Sequence, residues 1–303
     1  MKFRSTLFFG VYKHTLYRLI CVTPVALSIM QQTSAYEDFP GERPVSLQEK
    51  FDRLLRWHLA AAIVHAAQAG VLFGLARTWN EIDQFWTQYK VWDKNVSPRV
   101  QSTVLFGAKI ELFPPIFLAM AALDHACCAY LWVWSDYKLQ TAKGTASLCW
   151  LEYAFSASLM NSNILQLCGN NDIVAHGLVW ICTALCMVEG YWVEKLLEQG
   201  KVTEAKWHFL QGCIPFLAVW TVIFAYFFDN ATDAPAFVYA IVVVLFLLES
   251  MFAVNMVVFI YSQRTPSDIY NYEWTKIVLS ITAKASLAWI QFGGTRASSS
   301  SSS

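Results

Sequence analysis

The chain has 303 residues, of which 56% are hydrophobic and only 15% charged, with 22 basic and 22 acidic side chains. A water-soluble domain devotes about a quarter of its residues to charge, so this composition excludes an ordinary soluble fold and points to a membrane. Zero net charge gives nucleic acid no electrostatic footing, and Cys127, Cys128, Cys182, Cys186 and Cys213 fall inside apolar runs, as packing thiols rather than a disulfide framework.

In chain order, residues 1–49 form a leader. Lys2, Arg4, Lys13 and Arg18 precede an apolar run from Ile20 to Met30, the pattern of a signal peptide. That run is too short to span a bilayer, which takes about 20 residues. A surface-lying amphipathic segment and a poorly ordered leader are the alternatives. Seven stretches are long enough to cross: 57–76, 106–133, 148–168, 173–193, 207–228, 236–260 and 274–293. Polar segments separate them, and no soluble domain fits between. The long connection 77–105 has the Trp, Tyr and Val content of a short β-hairpin. The tail 296–303, RASSSSSS, is of low complexity and is expected to be disordered. Residues 50–295 therefore read as one all-α membrane domain, a seven-transmembrane-helix bundle.

Orientation follows the basic residues of short loops. Lys50, Arg53 and Arg56 precede the first span, Lys138 and Lys143 follow the second, Lys195, Lys201 and Lys206 follow the fourth, and Arg264 follows the sixth. Loops 169–172 and 229–235 have none, whereas 77–105 carries Arg77, Lys90, Lys94 and Arg99 against the trend. The start of the first span is thus expected in the cytoplasm and the C-terminus outside.

Ionisable residues inside the spans carry the chemistry, because charge in hydrocarbon needs a partner or a function. Lys284 lies within the seventh span, with Ser280 one turn earlier on the same face. It must face a carboxylate, lose its proton, or carry an aldehyde as an imine that a counterion keeps protonated. Glu152 in the third span is the expected counterion, with Ser156 a turn further on. His65 in the first span and His125 in the second supply neutral bases. Against this stands a plainer reading: a Lys–Glu pair that locks the bundle, and histidines that only hydrogen-bond across it. Glu249 is mid-run in the sixth span, placed for burial or pore lining, and Glu189 lies in the fourth.

These residues sit in stretches that resemble the heliorhodopsins: IVLSITAKASLAWIQFGGT at 277–295, WLEYAFSASLM at 150–160, LQLCGNNDIVA at 165–175 and FVYAIVVVLFLLESMFAV at 237–254. The resemblance covers about 50–295. It implies a rhodopsin-like bundle with a cytoplasmic N-terminus, a β-hairpin in the first extracellular loop, and a homodimer. It also implies all-trans retinal on Lys284 as a Schiff base, with Glu152 as counterion and Ser280, His65 and His125 around it; Ser156, a turn from Glu152, is placed to hydrogen-bond to the pair. Tyr153, Phe246 and Glu249 are expected at the retinal wall.

Two departures from the family pattern bear on function. Glu249 stands where the family has an aromatic, and Glu189 replaces an apolar or aromatic residue. With Asp124, an unusual neighbour for His125, they are candidate proton-relay groups. The expected function is a light receptor, not an enzyme, with light-activated proton transfer or conductance. The alternative is pure photosensing without transport, signalling to an unidentified partner.

Overall fold

The computed structural model describes residues 47–78, 82–93, 96–135, 137–230 and 234–301. The leader expectation falls outside these residues except at its end, where the first helix has already begun. Helix α1 (Leu47–Ala76) leads into an antiparallel hairpin of β1 (Asp83–Asp93) and β2 (Val96–Ala108). After a 3-10 turn come α2 (Phe113–Trp134), α3 (Tyr137–Ala142), α4 (Ser147–Leu167), α5 (Ile173–Glu198), α6 (Val202–Asp229), α7 (Ala236–Tyr261) and α8 (Pro266–Ser301). The seven long helices are the seven expected spans, and short α3 lies in the connection between the second and third.

Several boundaries differ from the sequence reading: α1 starts ten residues and α6 five residues before the expected spans, and α5 ends five residues beyond its own. Residues 106–108 belong to β2 rather than to the second span: Phe106 pairs with Phe85, and Ala108 with Asp83. The helix waits for Pro114 and Pro115, which fit its first turn, where no N–H is needed. At the other end, α8 starts eight residues before the expected span and runs on through Ser301. No proline interrupts it, and Ser298 Oγ donates to the Gly294 carbonyl at 3.0 Å. The serine-rich tail is therefore helical as far as Ser301.

Six of the long helices are apolar enough to cross a membrane by length and composition, and α4 falls short of that measure. Its polar residues are turned inward: Glu152, Ser156, Ser158, Asn161, Ser162, Asn163 and Gln166 are buried, while Leu151 and Phe155 are about half exposed. Lipid-facing apolar side chains and inward polar ones are what a hydrocarbon solvent selects. Outward-facing Ile63, Leu123, Ile214 and Val258 continue that apolar belt, and Trp134 and Tyr261 mark helix ends.

The hairpin is fastened to the α4–α5 connection. Trp86 N–H donates to Asn171 O at 3.1 Å, Asn171 Nδ2 donates to Gln84 O at 3.1 Å, and Phe85 meets the His176 ring edge-on at 5.1 Å. That connection turns at Gly169, whose φ of +92 suits glycine and where a Cβ would come within 3.1 Å of Asn230 Nδ2. The largest apolar core, including Phe117, Ile164, Trp220, Ile241 and Leu287, fills the half of the bundle nearer the hairpin. A second core of Val193, Leu197, Met256, Phe259 and Tyr272 closes the opposite end, where Phe259 and Tyr272 stack at 4.1 Å.

Candidate functional site

Helices α4 and α8 face each other and bring Lys284 to Glu152. Lys284 Nζ lies 3.3 Å from Glu152 Oε1 and 3.4 Å from Oε2, and it donates to Ser280 Oγ at 3.1 Å. The ammonium also sits 4.9 Å from the centre of the Tyr153 ring. Lys284 is 3% exposed and Glu152 9%, so water does little to screen the pair. Ser156 does not join it: its Oγ is buried without a hydrogen-bond partner among the described residues.

The expected histidines converge from α1 and α2. His65 and His125 stack with ring centres 5.7 Å apart and planes within 8°. Neither His65 nitrogen has a hydrogen-bond partner among the described residues. Asp124 is buried beside them, and both its carboxyl oxygens lie 3.8 Å from Cys128 Sγ, whose thiol also reaches Tyr137 Oη at 3.2 Å. A third histidine, His58, holds His125 through their Nδ1 atoms at 3.0 Å. Sequence reading missed it, although His58 lies two helical turns before His65 on the same face of α1.

Lys284 opens onto an interior cavity bordered mostly by apolar and aromatic residues of α4–α8, among them Trp150, Tyr153, Met160, Met187, Phe216, Val219 and Phe252. Gly190 also borders it, and a Cβ there would lie 2.4 Å from the Trp150 ring. Of the expected wall residues, Tyr153 and Glu249 line the cavity and Phe246 does not. Phe246 packs edge-on against Trp220 at 5.1 Å and against Phe224 at 5.3 Å, one layer behind the lining. Glu249 accepts from Trp220 Nε1 at 3.0 Å, and its Oε1 is buried without a hydrogen-bond partner among the described residues. Glu189 also lines the cavity and meets His208 Nδ1 at 2.6 Å. The pair spans α5 and α6 and is partly exposed, a contact no single helix could reveal.

A second buried charge cluster escaped the sequence reading. Lys276 Nζ binds Glu194 Oε1 at 2.8 Å and Glu273 Oε1 at 2.9 Å. Tyr272 Oη donates to Glu194 Oε1 at 2.9 Å, and the Ala146 N–H donates to Glu194 Oε2 at 2.8 Å. Lys276, Ser280 and Lys284 follow one another at four-residue spacing, so they form a single stripe on α8. That spacing was the available signal. Tyr153 links the two lysines: its ring faces Lys284, and its hydroxyl donates to the Lys276 carbonyl at 3.4 Å. Lys276 has two carboxylates and does not border the cavity, whereas Lys284 has one and does.

The comparisons with known proteins agree with this fold. A solved structure of similar fold is the crystallographic structure of xanthorhodopsin, a light-driven ion pump with dual chromophore, at a TM-score of 0.61 and 14% identity. The match covers 84% of this chain and 96% of that one, and at this identity it speaks for the fold alone. A search of curated proteins finds no match. The sequence pattern of the heliorhodopsins matches residues 54–296, nearly all of the described bundle, and the chain therefore belongs to the heliorhodopsin family, retinal photoreceptors of the membrane.

Proposed function

We propose that Lys284 holds all-trans retinal as a protonated Schiff base, that Glu152 is its counterion, and that illumination moves a proton away from this pair. One observation carries the reading: a buried lysine with a single carboxylate partner opens onto an apolar cavity. A pair serving only to lock helices needs no cavity at its side. The residues suit the group. Tyr153, Met187 and Phe252 give a polyene apolar walls, and Ser280 supplies an oxygen beside the reactive nitrogen. Retinal, when bound, supplies visible-light absorption and isomerisation; the protein supplies orientation and electrostatics.

The work of the chain's own residues follows from their positions. Glu152 keeps the cation at Lys284 neutralised in a site where charge is costly. Ser280 and the Tyr153 ring fix the nitrogen's direction. His65, His125 and Asp124 lie on the α1–α2 side of the pair and offer sites for a departing proton. Glu249 and Glu189 line the cavity itself and extend the set of acids toward α5, α6 and α7.

Transport and pure sensing divide on those last two acids. With retinal added, the protein is expected to show a visible band and a light-evoked, pH-dependent current. In Glu249→Gln or Glu189→Gln the current should fall roughly tenfold or more, as when a positioned proton-transfer group is removed. Full current in both variants removes these acids from the path, and no current in the unmodified protein ends the transport reading. The structure offers one observation in favour of sensing. The fully buried carboxylates and lysines among the described residues are Asp124, Glu152, Glu194, Glu273, Lys276 and Lys284. From Lys284 they extend toward the helix ends opposite the hairpin. The hairpin half carries neutral links such as Asn163 to Gln291 and Gln291 to the Ile110 carbonyl. A proton that leaves and returns on one side would signal without crossing.

The orientation proposed with this function puts the α1 start and the α5–α6 turn in the cytoplasm, on the strength of Lys50, Arg53, Arg56, Lys195 and Lys201. A cysteine placed at exposed Lys201 should react with an impermeant label only from the cytoplasmic face. Labelling from outside would invert the assignment. The homodimer and the signalling partner belong to the same proposal and rest on the family resemblance.

A further inference from the structure

Three histidines line the faces of α1 and α2 that meet beside the Lys284–Glu152 pair, and the outermost has no part in the mechanism above. His58, His65 and His125 are 4%, 0% and 3% exposed. His65 and His125 stack without a hydrogen bond between them, whereas His125 and His58 share one through Nδ1 atoms 3.0 Å apart. Two neutral imidazoles can make that contact only if one carries its hydrogen on Nδ1 and the other on Nε2. The two rings therefore already share one proton position, and a further proton would be divided between them.

Groups of two neighbouring helices bear on His58. Trp132 of α2 lies against its ring at 6.2 Å. Lys276 of α8 is within electrostatic reach and would alone repel an imidazolium. Yet Lys276 is bound to two carboxylates, Glu194 and Glu273, so the cluster carries a net charge of minus one with all three ionised. His125 in turn is within electrostatic reach of His58, His65 and Lys284. The pair thus stands between Lys284 and the Lys276–Glu194–Glu273 cluster.

Resting on the retinal reading, we propose that His58 and His125 act as one proton-holding pair, and that His58 is the outer station where the proton released beside Lys284 comes to rest. In this step the N–H bond at Lys284 breaks and an N–H forms on His125. The hydrogen between the two Nδ1 atoms then shifts to His58, leaving the charge on the outer ring. Return of the proton reverses each bond change. His58 is a relay residue, reached through His125 and not from the reacting nitrogen directly.

The test uses the full chain with retinal in nanodiscs, following the visible band and the infrared difference spectrum after a flash. Two variants separate proton holding from mere positioning. His58→Phe keeps the ring's bulk and removes both nitrogens. His58→Asn keeps a hydrogen-bonding group for His125 that cannot carry the proton. Both should form pigment, and both should slow the flash-induced loss of the visible band, which reports departure of the proton from Lys284, by roughly a hundredfold, the scale of a lost acid–base group. In unmodified protein, the light-minus-dark infrared difference should contain two isotope-sensitive histidine signals, of which His58→Asn removes one. An Asn variant that matches the unmodified protein while the Phe variant is slow would reduce His58 to a support for His125 and overturn the proposal. Unchanged kinetics in both would also overturn it. Absence of a visible band in the unmodified protein would instead overturn the retinal reading, and this inference with it.

Discussion

Lys284→Ala should yield a protein with no visible absorbance after retinal is added, at any pH. The effect is all-or-none because the lysine supplies the bonding nitrogen, and no other lysine among the described residues borders the cavity. Lys276 is the rival, since it is equally buried on the same face of α8. Its ammonium is committed to Glu194 and Glu273 at 2.8 and 2.9 Å, so freeing it would strand two buried carboxylates. Removing one partner of a buried ion pair costs about 3–5 kcal/mol. The same penalty falls on Lys284→Ala through Glu152, so poor folding of that variant must be separated from loss of the attachment point. Lys284→Ala/Glu152→Gln removes both charges and should fold better while remaining colourless. Mass spectrometry of the reduced pigment should find the retinyl adduct on the peptide holding Lys284. A visible pigment in either variant, or an adduct on Lys276, would overturn the assignment.

The bundle could be read from the sequence because its signals are local. Each span is a continuous apolar run, and Pro235 stands at a helix start where a break in hydropathy had already placed it. Glu152 and Lys284 were equally legible, since an ionisable group in hydrocarbon announces itself without knowledge of its partner. What was lost was relational. Phe246 and Glu249 are three residues apart on α7, yet only Glu249 reaches the cavity, while Phe246 stacks on Phe216 of α6, which lines it. The Lys276 cluster depends on α5 meeting α8 near the α4 start, and His208 finds Glu189 only across the α5–α6 interface. The hairpin overran its expected end because Phe106 is as much at home in a strand as in a membrane helix, and pairing with Phe85 decided between them.

Glu152→Gln tests the other half of the pair and should leave a pigment that is altered rather than absent. At 3.3 Å the attraction between Lys284 and Glu152 is on the order of 5 kcal/mol at an effective dielectric constant of 20. Glutamine keeps the shape and loses that attraction. With the positive nitrogen less well balanced, absorbance should move to the red where the proton is kept. A larger near-ultraviolet fraction should appear at alkaline pH, where it is given up. Asp124 is the control, because it is the other buried acid on this side of the pair and has no salt-bridge partner among the described residues. If Glu152 carries the neutralising charge, Asp124→Asn should shift the spectrum less than Glu152→Gln, since among the described residues Asp124 acts on Lys284 through the field alone, with no hydrogen bond or salt bridge to it. Equal shifts would mean that the two acids share the role. An unchanged spectrum across pH in Glu152→Gln would remove Glu152 from it, leaving the α4–α8 pair as a helix lock beside a cavity.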